Sequence, residues 1–261
     1  DYDIIYYNGT VFIAISDPSN SFNLSYMMLS FSNGLFSIIK TLTSLAVVQR
    51  KITTSQFSSN RFVVSGINTS NQAVVQYCST DFLTTASILT TKTFTDNSGV
   101  INIASIVRFD KVFTAYRDNT GAFVTILHAV SSDVVTQYDK RTIFTGGVTK
   151  NFGISLNYIG EDILVNLTQD LYNTNNVYLF EIKKYFIYSK DSSMVSTSPI
   201  NRANISVLSI DKIINIYDNL TDNTVNYKII FNQFVPSYND YPIAQTKMSI
   251  LKNASGYVDA L

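Results

Sequence analysis

Val112–Arg117 reads VFTAYR, an apolar run closing on a polar turn, and it has four counterparts along the chain. Val11–Ser16 reads VFIAIS, Phe62–Ile67 reads FVVSGI, Ile163–Thr168 reads ILVNLT and Ile213–Asp218 reads IINIYD. Successive copies begin 51, 50, 51 and 50 residues apart. Each is followed by a short polar loop and a second strand-like run. Val, Ile, Thr, Tyr and Phe fill the runs, and Asn, Asp, Ser and Gly break them. No segment carries sustained helical periodicity with caps. A period near fifty in an all-strand sequence describes repeated small sheets, one per repeat.

These runs are apolar on both faces. One alternating set holds Val11, Phe62, Val112, Ile163 and Ile213; the other holds Phe12, Val63, Phe113, Leu164 and Ile214. A strand apolar on both faces must be covered on both sides. A sheet sandwiched between two similar sheets meets that condition, and a single open sheet does not. Overlaying the repeats gives four strands per unit, in the second unit at about 45–57, 61–67, 72–79 and 86–94. The expected fold is therefore all-β: a five-bladed β-propeller with four-stranded antiparallel blades of about fifty residues. It is read as one domain over 1–261, with blades at approximately 1–43, 44–95, 96–145, 146–197 and 198–261. The first blade starts with its own strand at 2–7 and the last ends with its own strand near 241–251, so no strand exchange is expected.

Composition narrows the function classes. The 261 residues are 46% hydrophobic and only 15% charged, with zero formal net charge. A phosphate-binding surface needs an excess of Lys and Arg, so a nucleic-acid partner is not expected. No run of eighteen apolar residues is present, and no membrane insertion is expected. The single cysteine, Cys78, cannot form an internal disulfide. The first residue is Asp1 rather than Met, which is read as a processed product or an excised fragment. Seven glycosylation sequons, at Asn8, Asn23, Asn68, Asn166, Asn204, Asn219 and Asn253, are close to the number chance supplies in so Asn-, Ser- and Thr-rich a chain.

The repeat pattern resembles five-bladed propellers: tachylectin-type lectins, arabinanase-like glycosidases and the propeller platforms of phage receptor-binding proteins. The likeness covers the whole chain and lies in architecture. There is no Trp, hence no Trp-Asp dipeptide, and Gly146-Gly147 is the only double glycine. The Ser-, Thr-, Asn- and Tyr-rich repeats look most like viral or other surface attachment proteins.

His128, the only histidine, aligns by counting with Met27, Cys78, Leu179 and Ile229, which makes it a core or blade-contact residue. Cys78 then reads as a small buried hydrophobe. With one His and one Cys, a zinc site of usual composition cannot be assembled, and no cofactor is expected. The turns between strands one and two carry Asp110-Lys111, Glu161-Asp162 and Asp211-Lys212, against Asn8-Gly9 and Asn60-Arg61 in the first two units. Recurrence at one turn favours turn-forming roles over the paired carboxylates of a glycoside hydrolase. Asp17, Asp118, Asp170, Asp218 and Asp222 could meet carbonyls around calcium, but none lies in a loop of EF-hand spacing, and no metal is assigned.

The turns from strand two to strand three also align, at Asp17-Pro18, Asn68-Thr69, Asp118-Asn119, Asp170 and Asp218-Asn219. Asp and Asn there either bond their own backbone or form a ring of oxygen-rich loops that contacts a ligand. Tyr offers a flat apolar face and a hydroxyl at low entropic cost. The ligand-binding candidates are therefore Tyr116, Asp118, Asn119, Asp170, Tyr172, Tyr217, Asp218 and Asn219, with the loop Gln169 to Asn176 the longest of its class. The expectation is a non-enzymatic attachment or receptor-binding module on a virion or cell surface. Its partners would be a glycan or cell-surface receptor and other virion or surface-assembly subunits. The alternatives are a glycoside hydrolase with acids near the axis and a structural scaffold subunit.

Overall fold

The computed structural model describes residues 1–231, apart from 8–9, 49, 82–85, 96–98, 133, 146–153, 160, 170–173, 197–199, 210–211 and 220–223, together with 249–251. The chain is built from five four-stranded antiparallel sheets and is a five-bladed β-propeller. Blade one holds β1 (Tyr2–Tyr7), β2 (Thr10–Asp17), β3 (Asn23–Ser32) and β4 (Leu35–Val48). Blade two holds β5 (Arg50–Ser58), β6 (Arg61–Ile67), β7 (Ala73–Thr80) and β8 (Ala86–Phe94). Blade three holds β9 (Val100–Arg108), β10 (Lys111–Asp118), β11 (Phe123–Ser131) and β12 (Val134–Phe144). Blade four holds β13 (Ile154–Ile159), β14 (Asp162–Gln169), β15 (Thr174–Lys183) and β16 (Phe186–Ser196). Blade five holds β17 (Ile200–Ser209), β18 (Lys212–Asn219), β19 (Thr224–Phe231) and β20 (Ser249–Leu251). In every sheet the strands follow chain order, so each blade is made from its own contiguous residues.

The blades fall into two compact units, Asp1–Gly146 with three blades and Gly147–Leu261 with two. The first boundary differs from the sequence reading. The apolar stretch before Arg50 continues β4 to Val48, and the next blade opens at Arg50. Period-2 patterning alone does not show where one strand ends and the next begins when both are apolar.

The doubly apolar second strands behave as expected in blades two and three. From Phe62 to Ile67 and from Val112 to Asp118 every residue is buried. In β2 only one set is buried; Phe12 and Ala14 are covered while Val11, Ile13 and Ile15 are half-buried. Between blades one and two the core is Phe12, Tyr26, Met28, Phe62 and Val64, with Phe12 and Phe62 ring centroids 4.4 Å apart. Between blades two and three it is Val63, Val75, Tyr77, Ile103, Val112, Tyr116 and Ile126. The second unit has its own cluster around Val177, Leu179, Ile205 and Ile213.

The first strand of each sheet has a ladder partner on one side only. Its other edge would leave backbone groups unpaired, which is costly where water is excluded. Within each unit, side chains of the preceding blade's first strand fill that edge. Asp3 Oδ2 accepts from the Thr54 N–H at 2.5 Å and from the Thr54 hydroxyl at 2.9 Å. Thr53 Oγ1 accepts from the Ser105 N–H at 3.1 Å, and Ser55 Oγ from the Val107 N–H at 3.0 Å. In the second unit Asn157 Nδ2 donates to the Ile205 carbonyl at 3.4 Å.

A second polar file crosses the same blade contact deeper in the core. Tyr77 Oη and His128 Nδ1 are 2.9 Å apart, His128 Nε2 and Thr114 Oγ1 2.9 Å, and Thr114 Oγ1 and Ser105 Oγ 2.7 Å. His128 is fully buried, and Phe94 lies edge-on to it at 5.6 Å. Burial, helped by the charge of Lys92, pushes the His128 imidazole down to about 3. Cys78 is likewise buried; its thiol lies 3.6 Å from the Tyr26 hydroxyl and is pushed up to about 12 by desolvation.

The neutral His128 has a consequence for acid stability. The unfolded chain takes up a proton near pH 6.5 and the folded chain only near pH 3. Between those values the unfolded state binds more protons, so stability from this group falls as pH drops, at up to about 1.4 kcal/mol per pH unit. Denaturant unfolding of the wild type and of His128→Gln across pH 7 to 3.5 is expected to show a shallower acid slope in the variant. Equal slopes would exclude His128 as the source.

Candidate functional site

An antiparallel meander places the connections from second to third strand, and from each fourth strand to the next blade, at one end of the sheets. In the first unit that end carries the aligned Asp and Asn turns, and their oxygens point back into the backbone. Asp17 Oδ1 accepts from the Ser19 N–H at 2.9 Å and from its hydroxyl at 2.8 Å, holding the carboxyl below its usual range. Asn68 Oδ1 accepts from the N–H of Ser70 at 3.0 Å and of Gln72 at 2.9 Å. Asp118 Oδ1 accepts from the Thr120 N–H at 3.0 Å, the Thr120 hydroxyl at 2.6 Å and the Ala122 N–H at 3.0 Å. Each of these three turns is held by its own Asp or Asn, which is the turn chemistry of these residues.

The remaining expected site residues scatter. Tyr116 is fully buried and Tyr217 is buried in the second unit's cluster, so neither ring is offered to solvent. The strands run two residues past them, to Asp118 and Asn219, so both tyrosines lie inside strands packed into a core cluster. Asn119 is exposed; its N–H donates to the Gly99 carbonyl at 2.8 Å. Gly99 has φ +82°, and a Cβ there would lie 2.5 Å from the Asn119 side chain, which would have to move aside. Asp218 and Asn219 end β18, paired with Val225 and Thr224, and their side chains lie outside the described residues. Asp170 and Tyr172 also lie outside them, as do Asp211, Asp222 and most of the loop after Gln169. Among the described residues no cluster of three His, Cys, Asp or Glu side chains could hold a metal ion.

What the same end does build is a hollow of about 300 Å³ in the first unit, where the first strands of three successive blades begin. Asp1, Arg50 with Lys51, and Val100 with Ile101 contribute those starts. Ile67 comes from the end of β6, Phe22 and Asn71 from the second-to-third strand connections of blades one and two. Its apolar lining is Phe22, Ile101 and the buried Ile67 and Val100, and its polar lining is Asp1, Arg50, Lys51 and Asn71.

Three local devices shape it. In β5 the pairing steps from Arg50–Ile67 to Thr53–Ser65, so a bulge intervenes, and Lys51 sits in it at φ +53°. Bulges re-aim side chains, and here Lys51 lines the hollow while its N–H donates to Asp1 Oδ2 at 2.9 Å. Asn71, at φ +56°, closes the Asn68 turn; its Oδ1 accepts from Arg50 Nη2 at 2.5 Å and its carbonyl from the Val100 N–H at 2.8 Å. Arg50 Nη2 also reaches the Asn68 carbonyl at 3.4 Å. After the short helical turn Pro18–Asn20, Ser21 and Phe22 both take positive φ, 54° and 59°, and the Phe22 ring stays 37% exposed. A bulky aromatic at positive φ is uncommon and marks a constrained position.

The acids proposed for hydrolysis sit at the opposite end. Asp110 is at the tip of the β9–β10 turn, 76% exposed, with Lys111 Nζ at 2.5 Å. That hydrogen bond keeps its carboxyl below the usual range, the reverse of what a general acid requires. Asp162 is bonded to Lys190 Nζ at 2.7 Å.

No family model matches the chain, and no curated protein is similar to it in sequence. Solved structures share its fold. A triple arginine-to-alanine mutant of AofleA from Arthrobotrys oligospora is 10% identical, with TM-score 0.54 over 95% of this chain and 71% of that one. A 6-phosphogluconolactonase candidate from Bacteroides uniformis is 10% identical, with TM-score 0.56 over 95% and 69%. A chain from the complex of the SREBP and SCAP binding domains of fission yeast is 12% identical, with TM-score 0.51 over 91% and 72%. At these identities the likeness is one of fold.

The Asp118 turn is directly testable. Asp118→Ala strands the buried Ala122 N–H and is expected to cost about 2 kcal/mol in urea unfolding, with Asp118→Asn losing less because an oxygen remains. A cost under about 0.5 kcal/mol for the alanine variant would contradict the turn's structural role.

Proposed function

We propose that this chain is a non-enzymatic binding module, carried on a virion or other surface assembly, that attaches to a glycan or a partner protein. One contrast carries the reading. The side chains best suited to catalysis are occupied with holding the fold, while the open hollow is lined by cations, an amide and apolar groups. His128 is buried and hydrogen-bonded through both ring nitrogens. Cys78 is a buried thiol. Asp17 and Asp118 hold their own turns. A concave site with a few placed polar groups on an apolar wall is the ordinary form of a small-ligand site. The neighbouring fold in the SREBP–SCAP complex belongs to an assembly of binding domains, which is compatible with attachment to a protein.

The hydrolase reading keeps some support from the lactonase candidate among the structural neighbours. The two are separated by incubating the chain with an array of immobilised glycans, then analysing supernatant and array. Retention on particular glycans without released sugar is the expected result. Released sugar that disappears in Asp110→Asn or Asp211→Asn would replace attachment by hydrolysis.

A further inference from the structure

We infer that the hollow at the start of β1, β5 and β9 is the recognition site for a carboxylate-bearing sugar, held by Lys51 and Arg50. The inference rests on the attachment reading and names the ligand class for it.

Size comes first. At about 300 Å³ the hollow is at the small end of ligand pockets, which run from roughly 300 to 1,000 Å³. It accommodates one sugar ring and not an oligosaccharide, so the rest of a glycan would leave through its open side.

Charge comes second. Arg50 and Lys51 are adjacent in sequence at the start of the β5 bulge, and both line the hollow. Arg50 is fixed through Nη2 by Asn71 and Asn68, which leaves Nη1 and Nε to a ligand among the described residues. The Lys51 ammonium has no hydrogen-bond or ion-pair partner among the described residues. The one carboxylate in the lining, Asp1, is engaged by the Lys51 backbone N–H. Two cations face one engaged acid, so an incoming carboxylate completes the charge, and charge-assisted bonds to Arg are the stronger kind. A polyanion such as nucleic acid is disfavoured by the zero net charge of the whole chain.

Shape comes third. Beside the cations the apolar lining is the half-buried Ile101, the edges of the buried Ile67 and Val100, and the exposed Phe22 ring, which is the residue placed to meet the C–H face of a pyranose. Holding Phe22, Lys51 and Asn71 at positive φ costs backbone energy, of order 1 kcal/mol or more each. The repeat itself points to the hollow. Asp1 and Ile101 stand where blades one and three begin, and only blade two puts a basic pair there.

Isothermal titration with methyl glucuronide and the methyl glycoside of N-acetylneuraminic acid, against methyl glucoside, tests this on the whole chain. At least one acidic glycoside is expected to bind at least ~10-fold more tightly than the neutral one, and more weakly as salt is raised. Lys51→Gln keeps the length and loses the charge. It is expected to remove most of that preference while leaving the unfolding midpoint unchanged, because the fold uses only the Lys51 backbone. Arg50→Lys, which keeps charge but not the two-pronged geometry, should weaken binding less than Arg50→Ala. An acidic glycoside that binds Lys51→Gln as tightly as wild type, or a neutral glycoside that binds as tightly as the acids, overturns the site assignment. Glycan-array retention that survives Lys51→Gln would do so while leaving the attachment reading intact; no retention on any glycan, with no titration signal, removes glycan attachment and the site together.

Discussion

The inner edge of each blade is the constraint on which the rest depends. A four-stranded sheet satisfies the backbone of its middle strands and leaves two edges. The outer edge can face water. Within each unit the first strand's free edge is turned toward the first strand of the preceding blade, where solvent is restricted and unpaired amides are expensive. This chain answers with short polar side chains at alternate positions: Asp3 for Thr54, Thr53 and Ser55 for Ser105 and Val107, and Asn157 for Ile205. Each bond joins residues about one repeat apart, so the period near fifty is also a hydrogen-bonding period. The bonds add directionality to an apolar contact that would otherwise tolerate sliding, and they fix how neighbouring first strands lie within each unit.

The hollow follows from that arrangement. First strands stapled side by side begin at similar heights, and the turns above them close a basin. The Asx turns at Asn68 and Asp118 keep those connections short and low. Where blade two needs a bulge to bring Arg50 onto Ile67, the displaced residue is Lys51, and the basin gains its charge. The scaffold that satisfies backbone amides is therefore also what positions the exposed cations.

The sequence made the architecture readable because each second strand opens on two adjacent apolar residues, one for each face, and that start recurs five times at steps of 50 or 51 residues. His128 and Cys78 were placed correctly as blade-contact residues by the same overlay. Counting along the repeat was less reliable where loops differ in length. Val112 faces His128 and Phe62 faces Cys78, but Val11 faces Leu29, Ile163 faces Phe180 and Ile213 faces Ile230. The site was harder to see. Tyr116 and Tyr217 looked like strand-end rings for a ligand, yet neighbouring sheets cover them, and coverage by another blade leaves no local signal. Arg50 and Lys51 were passed over because a bulge is invisible to period-2 patterning. The usable signal was a departure from the repeat, a basic pair opening a strand that opens differently in the other blades.

Hydrogen exchange of individual amides in β9 tests the stapling of first strands most directly. The Ser105 and Val107 amides should exchange as slowly in the native protein as the β9 amides that face the β10 ladder. In Thr53→Val with Ser55→Ala those two amides should speed up by about fivefold, corresponding to about 1 kcal/mol per lost bond, while the ladder-facing amides keep their rates. Fast exchange of Ser105 and Val107 in the wild type, or rates unmoved by the double substitution, would contradict the account.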